Sequence, residues 1–254
     1  MDLADMKQPP FEYGLLIANE EKILYAEKSE KLFPSASLIK LAVYAYYYEL
    51  ICEGKITAAK IVVVSPEAYP GGAGILALLP QKDRWTIEEL LTLMIAVSDN
   101  AATNLLIEEV GMSAIQKWLQ LKGWDSDVQL NRLMMAKTKP DNYVNASGAL
   151  ALLRFIFSLG RGQNELKHAI QRPFFNQQHR SNLPGGLDEY GISELRIGNK
   201  TGELAAVKHD VAVFCYQEKT IWAAALTKHD HQENCVIEWM QHIGKQIFTV
   251  LQER

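Results

Sequence analysis

The stretch Phe33-Pro34-Ser35-Ala36-Ser37-Leu38-Ile39-Lys40, with the apolar run behind it, decides how the chain is organised. Pro34 favours an extended approach and stops a helix from running in from upstream. The run then reads Leu38, Ile39, Leu41, Ala42, Val43, Tyr44, Ala45, Tyr46, Tyr47, Tyr48 and Leu50. Apolar side chains cover every face of that helix, so burial on all sides is expected. Ser37 falls at its N-terminal end, where free backbone N–H groups and the positive end of the helix dipole favour a developing negative charge. Lys40, three residues on, is expected one turn away on the same face. A lysine in a core needs partners or loses its proton. Beside a serine hydroxyl, such a lysine is one route to an activated nucleophile. Alone, Ser-x-x-Lys is a common pattern, and a serine at a helix start is usually only a cap.

The composition sets bounds. At 254 residues the chain can hold one large domain or two interleaved lobes. Its 48% apolar and 22% charged residues are ordinary for a soluble globular protein, and a net charge of −4 gives no reason to expect nucleic-acid or anionic-membrane binding. Cys52, Cys215 and Cys235 are widely spaced with no Cys-x-x-Cys pair, against a disulfide framework or a structural zinc site. The start, Met1 to Pro10, has neither a basic nor an apolar leader region, and no run of about 18 apolar residues occurs. The expected location is the cytoplasm, or outside it if a leader has been trimmed.

Outward from the central helix, Glu12 to Ala18 and Lys22 to Glu27 read as strands around a polar turn. Thr86 and Glu89 form a capping box that opens a helix broken at Ser98-Asp99-Asn100. Further helices are expected from Ala101 to Val110, Met112 to Leu121, after the Asn145 cap to Leu159, and from Asn164 to Gln171. Trp124 to Tyr143 shows no period and reads as a long loop, of a length that is usually functional. Late strands run from Arg196 to Lys200, Val207 to Gln217 and Thr220 to Thr227, before a final helix with Val236, Met240, Ile243, Ile247 and Val250 at helical spacing. Strands from both ends imply one sheet, with a helical lobe from the middle of the chain beside it. One domain over 1–254 is expected, its α/β lobe from 11–54 and 190–254 and its all-helical lobe from 55–189.

Lys200-Thr201-Gly202 lies on the first late strand, where glycine permits close approach of a substrate backbone. The chain thus holds Ser-x-x-Lys, Ser-Asp-Asn and Lys-Thr-Gly in order, the trio that marks class A β-lactamases and penicillin-binding proteins. From about Phe11 onward it resembles the class A β-lactamase family of active-site serine hydrolases. The resemblance implies an α/β (α+β) fold with an antiparallel sheet flanked by helices and an all-helical lobe. It implies that Ser37 is the acylated nucleophile, Lys40 its proton acceptor, and Ser98 a relay to the leaving nitrogen. Asn100 would bind the substrate's side-chain amide, and Lys200 and Thr201 its carboxylate, with Gly202 alongside. The N–H groups of Ser37 and Glu203 would form the oxyanion hole. A small-molecule substrate, no cofactor, no metal, no nucleic-acid or membrane partner and a monomer are expected.

One departure stands out. Family members carry a glutamate two residues beyond the arginine of a Leu-x-Arg motif, and it activates the water that releases the acyl group. Leu130-Asn131-Arg132 fits that motif, and the residue two beyond is Met134, whose thioether cannot take a proton from water. A rival register aligns Asp127 to Asn131 with the family's Glu-x-x-Leu-Asn and restores a carboxylate at Asp127. The arginine register is preferred, since it keeps the loop arginine and the distance from Asn100, and Arg132 would pair with Asp141. Slow deacylation is therefore expected. The alternatives are a peptidase of the D-Ala-D-Ala carboxypeptidase kind, an esterase, or an acylated receptor. His209 follows the Lys-Thr-Gly strand, and His229 and His231, two apart in a turn, read as solvated rather than as metal ligands.

Overall fold

The structure, a computed structural model of the chain, describes residues 9–64, 71–79, 82–188, 191, 192, 194–230 and 232–253. Met1 to Gln8 and His231, named above, lie outside them. Strand β1 (Glu12–Asn19) buries every residue from Tyr13 to Ala18 and runs inside the sheet. Asn19 then turns the chain, its Oδ1 accepting the N–H groups of Glu21 and Lys22 at 3.0 and 2.8 Å, and β2 (Ile23–Glu27) returns beside β1.

After the short β3 (Phe33–Pro34), one 3₁₀ turn (Ala36–Ile39) leads into α1 (Lys40–Cys52). As expected, α1 buries Lys40 to Ala45, Tyr47 and Tyr48. Phenols at that depth need partners: Tyr44 donates to the Ile170 carbonyl at 2.8 Å and Tyr47 to that of Leu106 at 2.7 Å.

Next come β4 (Ile61–Val63), its partner β5 (Arg84–Thr86), α2 (Ile87–Ala96), α3 (Asn100–Val110) and α4 (Met112–Leu121). The Thr86–Glu89 capping box opens α2. Within the stretch read as loop, β6 (Val128–Gln129) pairs with β7 (Tyr143–Val144), which pairs with β3 and ties the stretch to the approach to Ser37. Helix α5 (Ala146–Ser158) starts at the Asn145 cap. Helix α6 (Asn164–Phe175) runs past its expected end at Gln171 and through Pro173. Buried Phe174, edge-on to Tyr44 with centroids 5.2 Å apart, gives a packing reason for tolerating the proline.

The short α7 (Gly185–Asp188) precedes β8 (Leu195–Leu204), β9 (Val207–Tyr216), β10 (Lys219–Lys228) and α8 (Glu233–Gln252). The antiparallel sheet has the order β2-β1-β10-β9-β8, built from both ends of the chain. Strand alternation splits its side chains between two cores. Ala212, Phe214, Ile221, Ala223 and Ala225 pack with the α8 residues Val236, Met240 and Ile247. Val211, Val213, Trp222, Ala224 and Leu226 pack with α1 and the helices around it. The site lies on this second face, where β8 meets the turn before α1.

Candidate active site

Ser37 stands half-buried in the 3₁₀ turn, directly after Ala36, whose φ of 46° is left-handed. Non-glycine residues there carry strain of about 1 kcal/mol. Ser98, at φ 56°, and Met135, at φ 63°, share this conformation, so three of the five such residues among those described lie around the motifs. The turn is held at both ends. The Ser35 N–H donates to the Asn142 carbonyl at 2.8 Å, and the Leu38 N–H donates to the Ser35 carbonyl at 2.9 Å. A Cβ added at Gly202 would lie 3.0 Å from the Ser35 oxygen and 3.2 Å from the Leu38 nitrogen, so a larger residue would press on the turn and glycine favours this close approach of β8.

Lys40, Ser98, Asn100 and Lys200 converge. The Lys40 ammonium donates to the Ser98 carbonyl, to Ser98 Oγ at 3.1 Å and to Asn100 Oδ1 at 2.8 Å. Lys200 donates to Ser98 Oγ at 3.0 Å and to the Thr201 carbonyl at 2.7 Å. The Ser98 oxygen therefore accepts from two lysines, which leaves its own O–H to donate elsewhere. Helical spacing placed Lys40 beside Ser37, yet among the described residues its bonds go to Ser98 and Asn100, and the Ser37 hydroxyl has no partner.

Both lysines are fully buried. Burial holds Lys40 well below the usual lysine pKa, the Lys200 charge lowers it further, and Asp99 opposes both. Burial also brings Lys200 down to about 7, against the pull of Asp210 and Glu203. Each lysine is thus drawn toward the range where a proton can be given and taken near neutral pH. Thr201 lies opposite Asp210 of β9 in the ladder. Glu203 turns its carboxylate to Lys208, 2.7 Å away, which in turn reaches Glu233 on α8 at 3.0 Å.

The segment around Met134 is fixed from two sides. Arg132 and Asp141 form the expected ion pair at 2.6 Å. Asn104, one turn beyond Asn100 on α3, accepts the Met134 N–H at 2.8 Å and donates to the Met134 carbonyl at 3.2 Å. Asn100 Nδ2 donates to the Gly71 carbonyl at 3.2 Å, and a Cβ on Gly72 would meet both Asn100 Nδ2 and the Met135 sulfur. The Met134–Met135 segment therefore flanks the Ser98–Asn100 corner. Asp127 lies elsewhere: it accepts from Asn145, the cap of α5, at 2.8 Å and packs over Gly148.

Several supporting residues were given no role by the sequence. Asp99 accepts the N–H groups of Ile75 and Leu76 at 2.7 and 2.8 Å and also caps α3. Asn142 accepts those of Asn131 and Arg132 at 2.7 and 2.9 Å. Asp99 had a cue in its place within Ser-Asp-Asn, and Asn104 in its position four residues after Asn100 on one helix face.

The sequence model of the beta-lactamase enzyme family matches residues 6–251. Beta-lactamase BRO-1 of Moraxella catarrhalis is 24% identical over 256 residues, which covers 94% of this chain and 79% of that protein. Among solved structures, a β-lactamase from Sphaerobacter thermophilus superposes with a TM-score of 0.79 at 25% identity, over 93% of this chain and 89% of that one. PBP-A superposes with a TM-score of 0.81 at 22% identity, over 98% and 93%, a likeness of fold.

Proposed function

The chain belongs to the beta-lactamase enzyme family, and from that premise we propose that it is an active-site serine hydrolase acylated at Ser37 by β-lactams or related amides and esters, and that it releases the acyl group slowly. In this reading the substrate carboxylate binds Lys200 and Thr201, and its side-chain amide takes the Asn100 N–H₂ from Gly71. Lys40 accepts the Ser37 proton as Ser37 Oγ attacks the carbonyl carbon. The N–H groups of Ser37 and Glu203 receive the oxyanion, usually the largest single contribution to acyl transfer. The Ser98 O–H protonates the leaving nitrogen as the C–N bond breaks, and Lys40 passes the proton it took from Ser37 to the Ser98 oxygen, 3.1 Å away.

Release of the acyl group needs a base to activate water. The observation that carries the proposal is Met134, whose backbone Asn104 anchors at both N–H and carbonyl. A thioether accepts no proton from water. The carboxylates nearest in sequence are otherwise engaged, Asp127 with Asn145 and Asp141 with Arg132.

Intact-mass spectrometry during incubation with a chromogenic cephalosporin, with absorbance followed alongside, tests this. The expected result is a persistent adduct on Ser37 with slow turnover. Met134→Glu should raise the deacylation rate by about 10² or more, in the range of a positioned general base, and leave acylation unchanged. Rapid turnover without an adduct, or no gain from Met134→Glu, would sink the slow-release reading. A peptidase or esterase using the same residues is favoured by the same missing carboxylate, and neither adduct nor turnover with the cephalosporin would point to it.

A further inference from the structure

His209 takes no part in the proton transfers above, yet it is wholly buried and ties three elements together. It lies on β9 directly opposite Gly202 of β8. Its Nδ1 accepts the backbone N–H of Thr227 on β10 at 3.1 Å, so the ring proton sits on Nε2. Nε2 donates it to the Pro34 carbonyl at 2.8 Å. The Phe33 ring stands edge-on to the imidazole, centroids 5.9 Å apart. Burial lowers the pKa to about 4, so the ring is neutral at neutral pH and can accept and donate at once.

The position of this contact gives it meaning. Pro34 lies three residues before Ser37, and between them the left-handed Ala36 persists only where its surroundings hold it. Gly202 abuts the same turn at Ser35 and Leu38, and Glu203 follows Gly202 on the strand.

We infer that His209 is a positioning residue, a neutral strut that fixes the nucleophile turn against β8 and so sets the spacing of the Ser37 and Glu203 N–H groups that receive the oxyanion. This rests on the acylation of Ser37 proposed above. Oxyanion donors act only at hydrogen-bond distance from the developing charge, so a small shift of the turn weakens both together. A glutamine amide supplies N–H donors and a carbonyl acceptor and can replace both bonds, whereas leucine supplies neither.

The test compares the wild type, His209→Gln and His209→Leu. Stopped-flow acylation by a chromogenic cephalosporin is followed over a concentration series, and the backbone amide resonances of Ser37 and Glu203 are recorded. The expected result is a limiting acylation rate lowered about 10- to 100-fold in His209→Leu, in the range of a damaged oxyanion hole, with half-saturation little changed. His209→Gln should recover most of the rate, and the two amide resonances should move in the leucine variant and return in the glutamine variant. Wild-type rates in His209→Leu, or an equal loss in both variants, would overturn the strut. His209→Phe, which keeps the packing on Phe33, takes the place of His209→Leu if that variant fails to fold. If the wild type forms no Ser37 adduct, the acylation reading falls and the amide resonances alone decide: unmoved signals overturn the strut, and displacement restored by glutamine supports it.

Discussion

Two lysines flank one serine hydroxyl, and their surroundings assign them different work. Lys40 is lowered by burial and by the Lys200 charge, which suits a proton acceptor. Lys200 is brought to about 7 by burial, with Asp210 and Glu203 holding it up. To bind a substrate carboxylate it must be protonated. The second-order acylation constant with a carboxylate-bearing β-lactam should therefore fall as pH rises through about 7, since that constant reports the free enzyme. Asp210→Asn removes a charge that favours the protonated lysine and keeps an oxygen for the Leu183 N–H that Asp210 now accepts at 3.1 Å. Losing that charge lowers the lysine further, so the alkaline limb should move to lower pH by roughly half a unit to one unit. Acylation rates measured across pH in both proteins check this, and a limb that stays in place or moves upward would show that Asp210 does not set the Lys200 charge.

At the scale of elements, the segment from Leu130 to Asn142 is fixed less by its ion pair than by one buried amide. Asn142 accepts two backbone N–H groups, donates to the Arg132 carbonyl at 3.0 Å and passes its own carbonyl to Ser35. Asn142→Ala strands three of these groups and should cost about 2–4 kcal/mol, because unmet buried polar groups are expensive. Arg132→Ala breaks a partly exposed pair and should cost about 1 kcal/mol. Urea unfolding of both variants checks the order, and a larger loss for Arg132→Ala would refute it. The Arg132–Asp141 pair was legible because the preferred arginine register of the family resemblance set an arginine and an aspartate at the two ends of one loop. Helix starts were legible where local chemistry writes them, at Thr86 with Glu89 and at Asn145. The strand β6 was not, since two residues show no period and its pairing reaches β3 only through β7. Nor was the run of α6 through Pro173, which tertiary packing accompanies. The partners of Lys40 lie 58 and 60 residues away, so spacing on its own helix pointed only to Ser37. His209 was visible only as an unassigned histidine, because what gives it a role is the cross-strand register with Gly202.

Several buried groups have pKa values drawn away from their ordinary range, and this shapes stability against pH. For a base whose folded pKa is depressed, the unfolded chain binds more protons between the two pKa values, so stability rises with pH across that window. Lys200, lowered from 10.5 to about 7, should add roughly 3 kcal/mol between pH 7 and 9.5, and Lys40 acts in the same direction. Below pH 7 two groups oppose each other. His209, lowered to about 4, makes stability rise with pH toward 6.5, while Asp210, raised from 3.8 to about 7, makes it fall across nearly the same range. Above pH 10 the tyrosines take over. Burial raises Tyr13, Tyr44, Tyr47 and Tyr48, the last to about 12, and the bond to Glu27 raises Tyr25 to about 12. The folded state then holds protons that the unfolded chain has lost, and stability falls. Urea midpoints should therefore peak near pH 9.5, above those at pH 7 and pH 11. Lys200→Met removes the largest quantified part of the rise and should shrink the gain from pH 7 to 9.5. A wild-type midpoint that declines steadily from pH 7 upward would mean that Lys200 keeps an ordinary pKa in the folded protein, and with it the proton that the proposed alkaline limb of acylation requires it to lose.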